Sequence, residues 1–185
     1  ELPPQALLWT GAAGDSRWSS PLNWAGGRLP APESLVAFKG ASATPCVVDV
    51  NATVAGITLD NKFTGKVQLA PDRVLSVGAA GVRIAGGTFD ASKGRLEANF
   101  GFFMKGGEFL APTQTLQVNE ALSICGGRFE HNSGTLHFSH GYVFIHTGKV
   151  AFHDVVVEPS GNVVLTQPMH VLGNFLIKNA NCFQG

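Results

Sequence analysis

The chain has 185 residues, with 13 Lys+Arg against 13 Asp+Glu, 44% hydrophobic residues and only 14% charged ones. Such a chain is long enough for one buried core and too apolar for disorder. Its zero net charge supplies no basic field for nucleic acid and no polybasic patch for anionic lipid. No apolar run approaches the ~18 residues that read as a membrane span. Starting at Glu1 without a Met or leader, the sequence is expected to be a mature product or an excised segment.

Residues 1–45 hold all three tryptophans, in Trp9-Thr10-Gly11, Trp18-Ser19-Ser20 and Asn23-Trp24-Ala25-Gly26-Gly27, before Pro30 and Pro32. Two roles suit them. They can close the first coil of a repeat domain as a cap, which such domains require. Alternatively Trp9, Trp18 and Trp24 present ring faces to a sugar, with Asp15 and Arg17 as polar neighbours. The cap is the primary reading and carbohydrate binding the second.

Short apolar runs follow at Cys46-Val47-Val48-Asp49-Val50 and Val54-Ala55-Gly56-Ile57-Thr58-Leu59. A repeat is then explicit. Gly86-Gly87-Thr88-Phe89, Gly106-Gly107-Glu108-Phe109 and Gly126-Gly127-Arg128-Phe129 recur at 20 residues. The same step carries Leu96 onto Leu116 and Leu136, Val82 onto Phe102, Leu122 and Tyr142, and Ile84 onto Met104, Ile124 and Phe144. Allowing small length changes, Gly65-Lys66-Val67 and Gly148-Lys149-Val150 extend the series on either side. Val155-Val156-Val157, Val163-Val164-Leu165 and Phe175-Leu176-Ile177 continue it.

One unit divides into three strand-like pieces, 107–110, 115–118 and 122–125, with period-2 alternation and no helical period. Three strands per 20 residues, without hairpin turns, predict an all-β fold: a right-handed parallel β-solenoid of about seven coils, spaced ~4.8 Å apart. The predicted organisation is a Trp-rich cap over 1–45 and a solenoid over 46–185. Phe89, Phe109 and Phe129 should form one inward ladder, and Leu96, Leu116 and Leu136 another. Thr88, Glu108, Arg128 and Lys149 should face outward, as should Glu97, Gln117 and His137. Glu108 beside Arg128 should pair across rungs. If Met104, Ile124 and Phe144 point inward, Phe103, Val143 and Ile145 form an outward apolar strip, either covered by a flanking segment or serving as a surface for self-association. The end at Asn181-Cys182-Phe183-Gln184-Gly185 shows no cap, so either the natural chain continues or the end meets a neighbouring subunit.

The Trp-x-Gly, Trp, Asn-Trp and Gly-Gly-x-x-Pro series, with the Gly-Gly-x-Phe units and Val48-Asp49-Val50-Asn51-Ala52-Thr53-Val54, resembles secreted bacterial β-helical surface proteins of the autotransporter-passenger and haemagglutinin-like adhesin group. The resemblance covers nearly the whole chain. It implies an extracellular or cell-surface location and a structural or adhesive role, and it carries over no catalytic residues.

Chemistry is otherwise sparse. His131, His137, His140, His146 and His153 show no zinc-like spacing, so no metal or other cofactor is expected. Asp90 and Glu130 share a column two coils apart, about 9.6 Å by strand spacing, but Leu110 separates them and solvated corner charges are the simpler reading. Cys46, Cys125 and Cys182 fit either one disulfide with a spare thiol or three thiols. Asn99, Asn119 and Ser139 form a polar column that can hydrogen-bond along the axis. The sequence thus predicts a non-catalytic structural or adhesive module. Its partners would be other copies of itself or a cell-surface polysaccharide or protein, without nucleic acid or membrane insertion. A polysaccharide lyase or hydrolase ranks third, behind carbohydrate binding.

Overall fold

The computed structural model describes residues 6–40, 43–139, 143–158 and 161–178. His140, Tyr142, Cys182 and the chain end at 181–185 lie outside the described residues. The architecture is an all-β parallel solenoid of about seven turns, consistent with the expected right-handed coil. Two 3-10 turns, Pro21–Asn23 and Ala25–Gly27, are the helical elements among the described residues.

Each coil contributes to three faces, typified by Arg95–Ala98 on face A, Phe102–Met104 on face B and Glu108–Leu110 on face C. All rung-to-rung strand pairings are parallel and hold the expected step through the middle of the chain. Leu116 lies beside both Leu96 and Leu136, Phe109 beside both Phe89 and Phe129, and Leu122 beside Phe102. Faces A and B join into one 13-stranded sheet. The joint is made by Ala52–Leu59 and Val74–Ile84, long strands whose first halves lie on face A and second halves on face B. Face C is a 5-stranded sheet from Cys46–Val48 to Arg128–Glu130.

Inward columns fill the lumen. Phe109 is fully buried, with its ring centroid 5.7 Å from Phe89, 5.5 Å from Phe129 and 4.7 Å from Phe102. The Gly-Gly corners explain how coils stack this closely. Gly87, Gly107 and Gly127 have φ of 61°, 69° and 87°. A Cβ on Gly107 would sit 2.7 Å from the Gly87 carbonyl oxygen, and one on Gly127 would sit 2.6 Å from that of Gly107. Only glycine suits both the left-handed backbone and the approach of the preceding rung.

The uniform step ends after Phe138. Ile145, rather than Tyr142, lies beside Leu122, and Ala121 lies beside Phe144. The step here is therefore 23 residues, and Phe152 rather than Val150 follows Phe129, with ring centroids 5.3 Å apart. A slip of three residues is odd, so it exchanges the inward and outward sides of the strand. Val143 and Ile145, expected outside, are buried at 0% and 1%, while Phe144, expected inside, is exposed. Thr147 is drawn into the core beyond Ile145, and its hydroxyl has no hydrogen-bond partner.

At the other end the sheet reaches back before residue 46. Leu35–Phe38 pairs with 56–59, and Leu7–Leu8 pairs with Leu35–Phe38. Trp9, Trp18 and Trp24 lie over the lumen as a cap: Trp24 packs edge-on against Trp9 at 5.0 Å and Trp18 at 4.7 Å, and Trp9 reaches Phe38 at 5.9 Å. Asn23 explains the Asn-Trp pair. It is fully buried, its Nδ2 donating to Asp15 Oδ1 and the Arg17 carbonyl and its Oδ1 accepting from the Ala13 N–H.

Candidate interaction surface

Charge on faces A and C is paired both along strands and across rungs. On face C, Lys66 Nζ lies 2.6 Å from Asp90 Oδ2, and Arg128 binds both Glu108 and Glu130, as the expected Glu108–Arg128 pair requires. On face A, Arg95 pairs with Glu97 at 2.8 Å and Lys178 with Glu158 at 2.9 Å, and His137 lies 3.3 Å from Glu158. Asp90 differs from the solvated corner charge expected of it. It is buried, which pushes its carboxyl pKa up, yet Lys66 and the hydroxyl and N–H of Ser92 together outweigh burial and hold it below the ordinary aspartate value. Leu110 stands between Asp90 and Glu130 in their column, and each carboxylate is engaged by a cation, Lys66 and Arg128 respectively.

The tryptophans do not form a sugar platform. Trp9, Trp18 and Trp24 are 5%, 2% and 2% exposed, with no ring face open for stacking. The Trp24 indole N–H donates to the Trp18 carbonyl, and Asp15 is taken up by Asn23 and Ser20 within the cap. The apolar strip of Phe103, Val143 and Ile145 is likewise corrected. The odd slip buries Val143 and Ile145, and Phe103 is half-buried beneath Arg83, whose guanidinium carbon lies 4.6 Å from the ring centroid.

Other polar candidates serve local order. Asn119 Oδ1 accepts from the Ser139 hydroxyl at 3.0 Å, realising one step of the expected ladder. His131 and His153 stack at 5.8 Å, while His137 and His146 bond neighbouring rungs at Glu158 and Thr166. Among the described residues, no three His, Cys, Asp or Glu side chains gather to hold a metal ion. Cys46 is a buried free thiol and Cys125 an exposed one. No helix among the described residues is long and apolar enough to cross a membrane.

One surface breaks the pattern of an apolar inside and a polar outside. Phe175 lies beside Val155, Ile177 beside Val157, and Leu165 beside Ile145. Their partners are at most 1% exposed, yet Phe175, Ile177 and Leu165 are exposed by 47%, 39% and 42%. They continue inward columns onto the C-terminal end of the described coil stack, where Leu172 and Leu176 are exposed as well. Sequence inspection did not single out these side chains, because their exposure follows from rung order and not from local pattern. No protein-family model, curated protein or solved structure matches the chain.

Proposed function

We propose that this chain is a non-catalytic structural or adhesive module of a secreted or surface-displayed bacterial protein, associating with a second copy through its C-terminal end face. The observation that carries this reading is the exposure of Leu165, Phe175 and Ile177 in columns that are buried through the preceding coils. Large exposed apolar patches and unpaired strand edges favour association. Among the described residues the opposite end is closed by buried tryptophans and offers head-to-tail growth no apolar face of matching size. The fitting arrangement is a tail-to-tail pair about a two-fold axis, a self-complementary contact that closes at two copies. The extracellular setting rests on the Trp-rich opening and its resemblance to surface β-helical proteins.

The test is size-exclusion chromatography with light scattering over a wide concentration range, on the full chain and on Phe175→Asp and Ile177→Asp. The expected result is a concentration-dependent dimer that each substitution returns to monomer with an unchanged strand spectrum. A wild-type chain that stays monomeric throughout, or a dimer indifferent to both substitutions, overturns the proposal.

A further inference from the structure

Face B differs electrostatically from the other two faces. Its strands, from Leu7–Leu8 and Leu35–Phe38 through Phe102–Met104 to Val163–Leu165, carry no Asp or Glu. Arg83 on its strand, and Lys39 and Lys105 one residue past theirs in the column that also holds Asp60, are exposed, and none has a carboxylate partner among the described residues. Two adjoining hollows sharing Thr58 and Arg83 run beside these cations. One includes Asp60, Asn61, Phe103 and Lys105, and the other includes Lys39, Gly56 and Ala80. Asp60 brings one negative charge to the groove, its oxygens accepting from the N–H groups of Lys62, Phe63 and Gly40, and against three cations it leaves the groove net positive.

The middle cation is held in place. The Phe103 ring lies against the backbone of Gly101, where a Cβ would meet Phe103 Cε2 at 2.6 Å, and Arg83 rests over that ring. Stacking fixes the plane of a guanidinium and leaves its N–H edge free to bind a carboxylate in bidentate fashion. Lys39 and Lys105 flank it. Leu35–Phe38, 56–59, 82–84 and Phe102–Met104 are successive rungs, so the two lysines lie three rungs apart, about 14 Å along the axis. Gly56 and Ala80 leave the groove without large side chains, and Thr58 and Asn61 offer hydrogen bonds.

We infer that this groove binds an acidic polysaccharide lying along the solenoid axis, its carboxylates meeting Lys39, Arg83 and Lys105. Three separated cations on a chain of zero net charge suit a polymer with about one charge per sugar. Duplex nucleic acid, with one charge per ~1.7 Å, calls for a denser basic surface. The inference deepens the adhesive part of the proposed function by naming a ligand class, and it uses a different surface from the end-face contact.

The experiment is titration of the full chain with oligogalacturonate, its methyl-esterified form and a DNA duplex of similar length, at two salt concentrations. Association state is followed in parallel by light scattering. Oligogalacturonate should bind, the neutral ester should bind at least tenfold more weakly, and added salt should weaken binding. Arg83→Gln and Lys105→Gln should each reduce affinity about five- to thirtyfold, and Arg83→Lys should fall between Arg83→Gln and wild type. None of the three should alter dimer formation, which separates failure of this inference from failure of the end-face reading. Lys105 is exposed, so Lys105→Gln keeps the test valid if Arg83→Gln disturbs packing. Absence of binding, equal binding of the ester, affinity unchanged in both glutamine variants, or tighter binding of the duplex would each overturn it.

Discussion

Replacing Phe109 with Ala tests the ladder that organises the core. The ring is completely buried and lies within 5.7 Å, centroid to centroid, of Phe89, Phe102 and Phe129. Rungs above and below are fixed by backbone pairing, so the space can collapse only partly. Buried Phe→Ala changes cost about 3–5 kcal/mol. For a chain of this size each kcal/mol shifts Tm by about 2–4 °C, so the variant should melt roughly 6–20 °C lower. Phe100→Ala is the control: that side chain is half exposed, and its loss should stay within about 0.5 kcal/mol. Unfolding should be followed by circular dichroism and by tryptophan fluorescence, which reports on the cap alone. Coincident transitions indicate cooperative loss; separated ones indicate coil-wise fraying. A loss below about 1 kcal/mol for Phe109→Ala, or one no larger than the control, would refute the claim that stacked rings hold the coils together.

Thr147→Val removes an unpartnered hydroxyl from the core at nearly constant shape and should stabilise the chain by about 1 kcal/mol in urea unfolding; destabilisation would show that the hydroxyl is bonded. Asp90→Asn should cost about 1–3 kcal/mol at pH 7 by weakening the bonds to Lys66 and Ser92. Because the Asp90 pKa is lowered on folding, that stabilisation is complete above the unfolded aspartate value of about 3.9 and fades as pH falls through the folded value. Wild-type and variant unfolding curves should therefore converge in acid, and a gap that persists or widens there would contradict the assignment. Burial pushes the Cys46 thiol well above its ordinary pKa, with Asp49 adding to the shift. A thiol reagent should accordingly label Cys125 in the native chain and Cys46 only after unfolding, whereas rapid native labelling of Cys46 would argue against its burial.

Residues 82–138 were legible because consecutive coils there have equal length, so apolar columns could be counted directly in the sequence. Legibility failed at Val143-Phe144-Ile145. All three side chains are apolar, so alternation cannot say which faces inward, and only strand pairing shows that the step has grown to 23. The tryptophans were legible as a terminal device. Their burial was not, since it depends on Asn23, Asp15 and Phe38 closing around them. Arg83 and Lys105 were visible as charges of no special standing. That neither has a carboxylate partner among the described residues emerges only when the rungs are laid side by side and the other two faces are seen to be ion-paired.

The near-constant step also has a kinetic consequence. Most all-β folds bring distant segments together and fold slowly, but here paired rungs are only 19–29 residues apart in a chain of 185, most of them 19–23. Rung-to-rung contacts alone correspond to a relative contact order of about 0.11, a value typical of helical bundles. Each coil can add to a finished edge as soon as it emerges, and the tryptophan cap, made first, supplies the starting edge. The exposed side chains of Leu165, Phe175 and Ile177 then lie on the edge that such growth would reach after 178 residues.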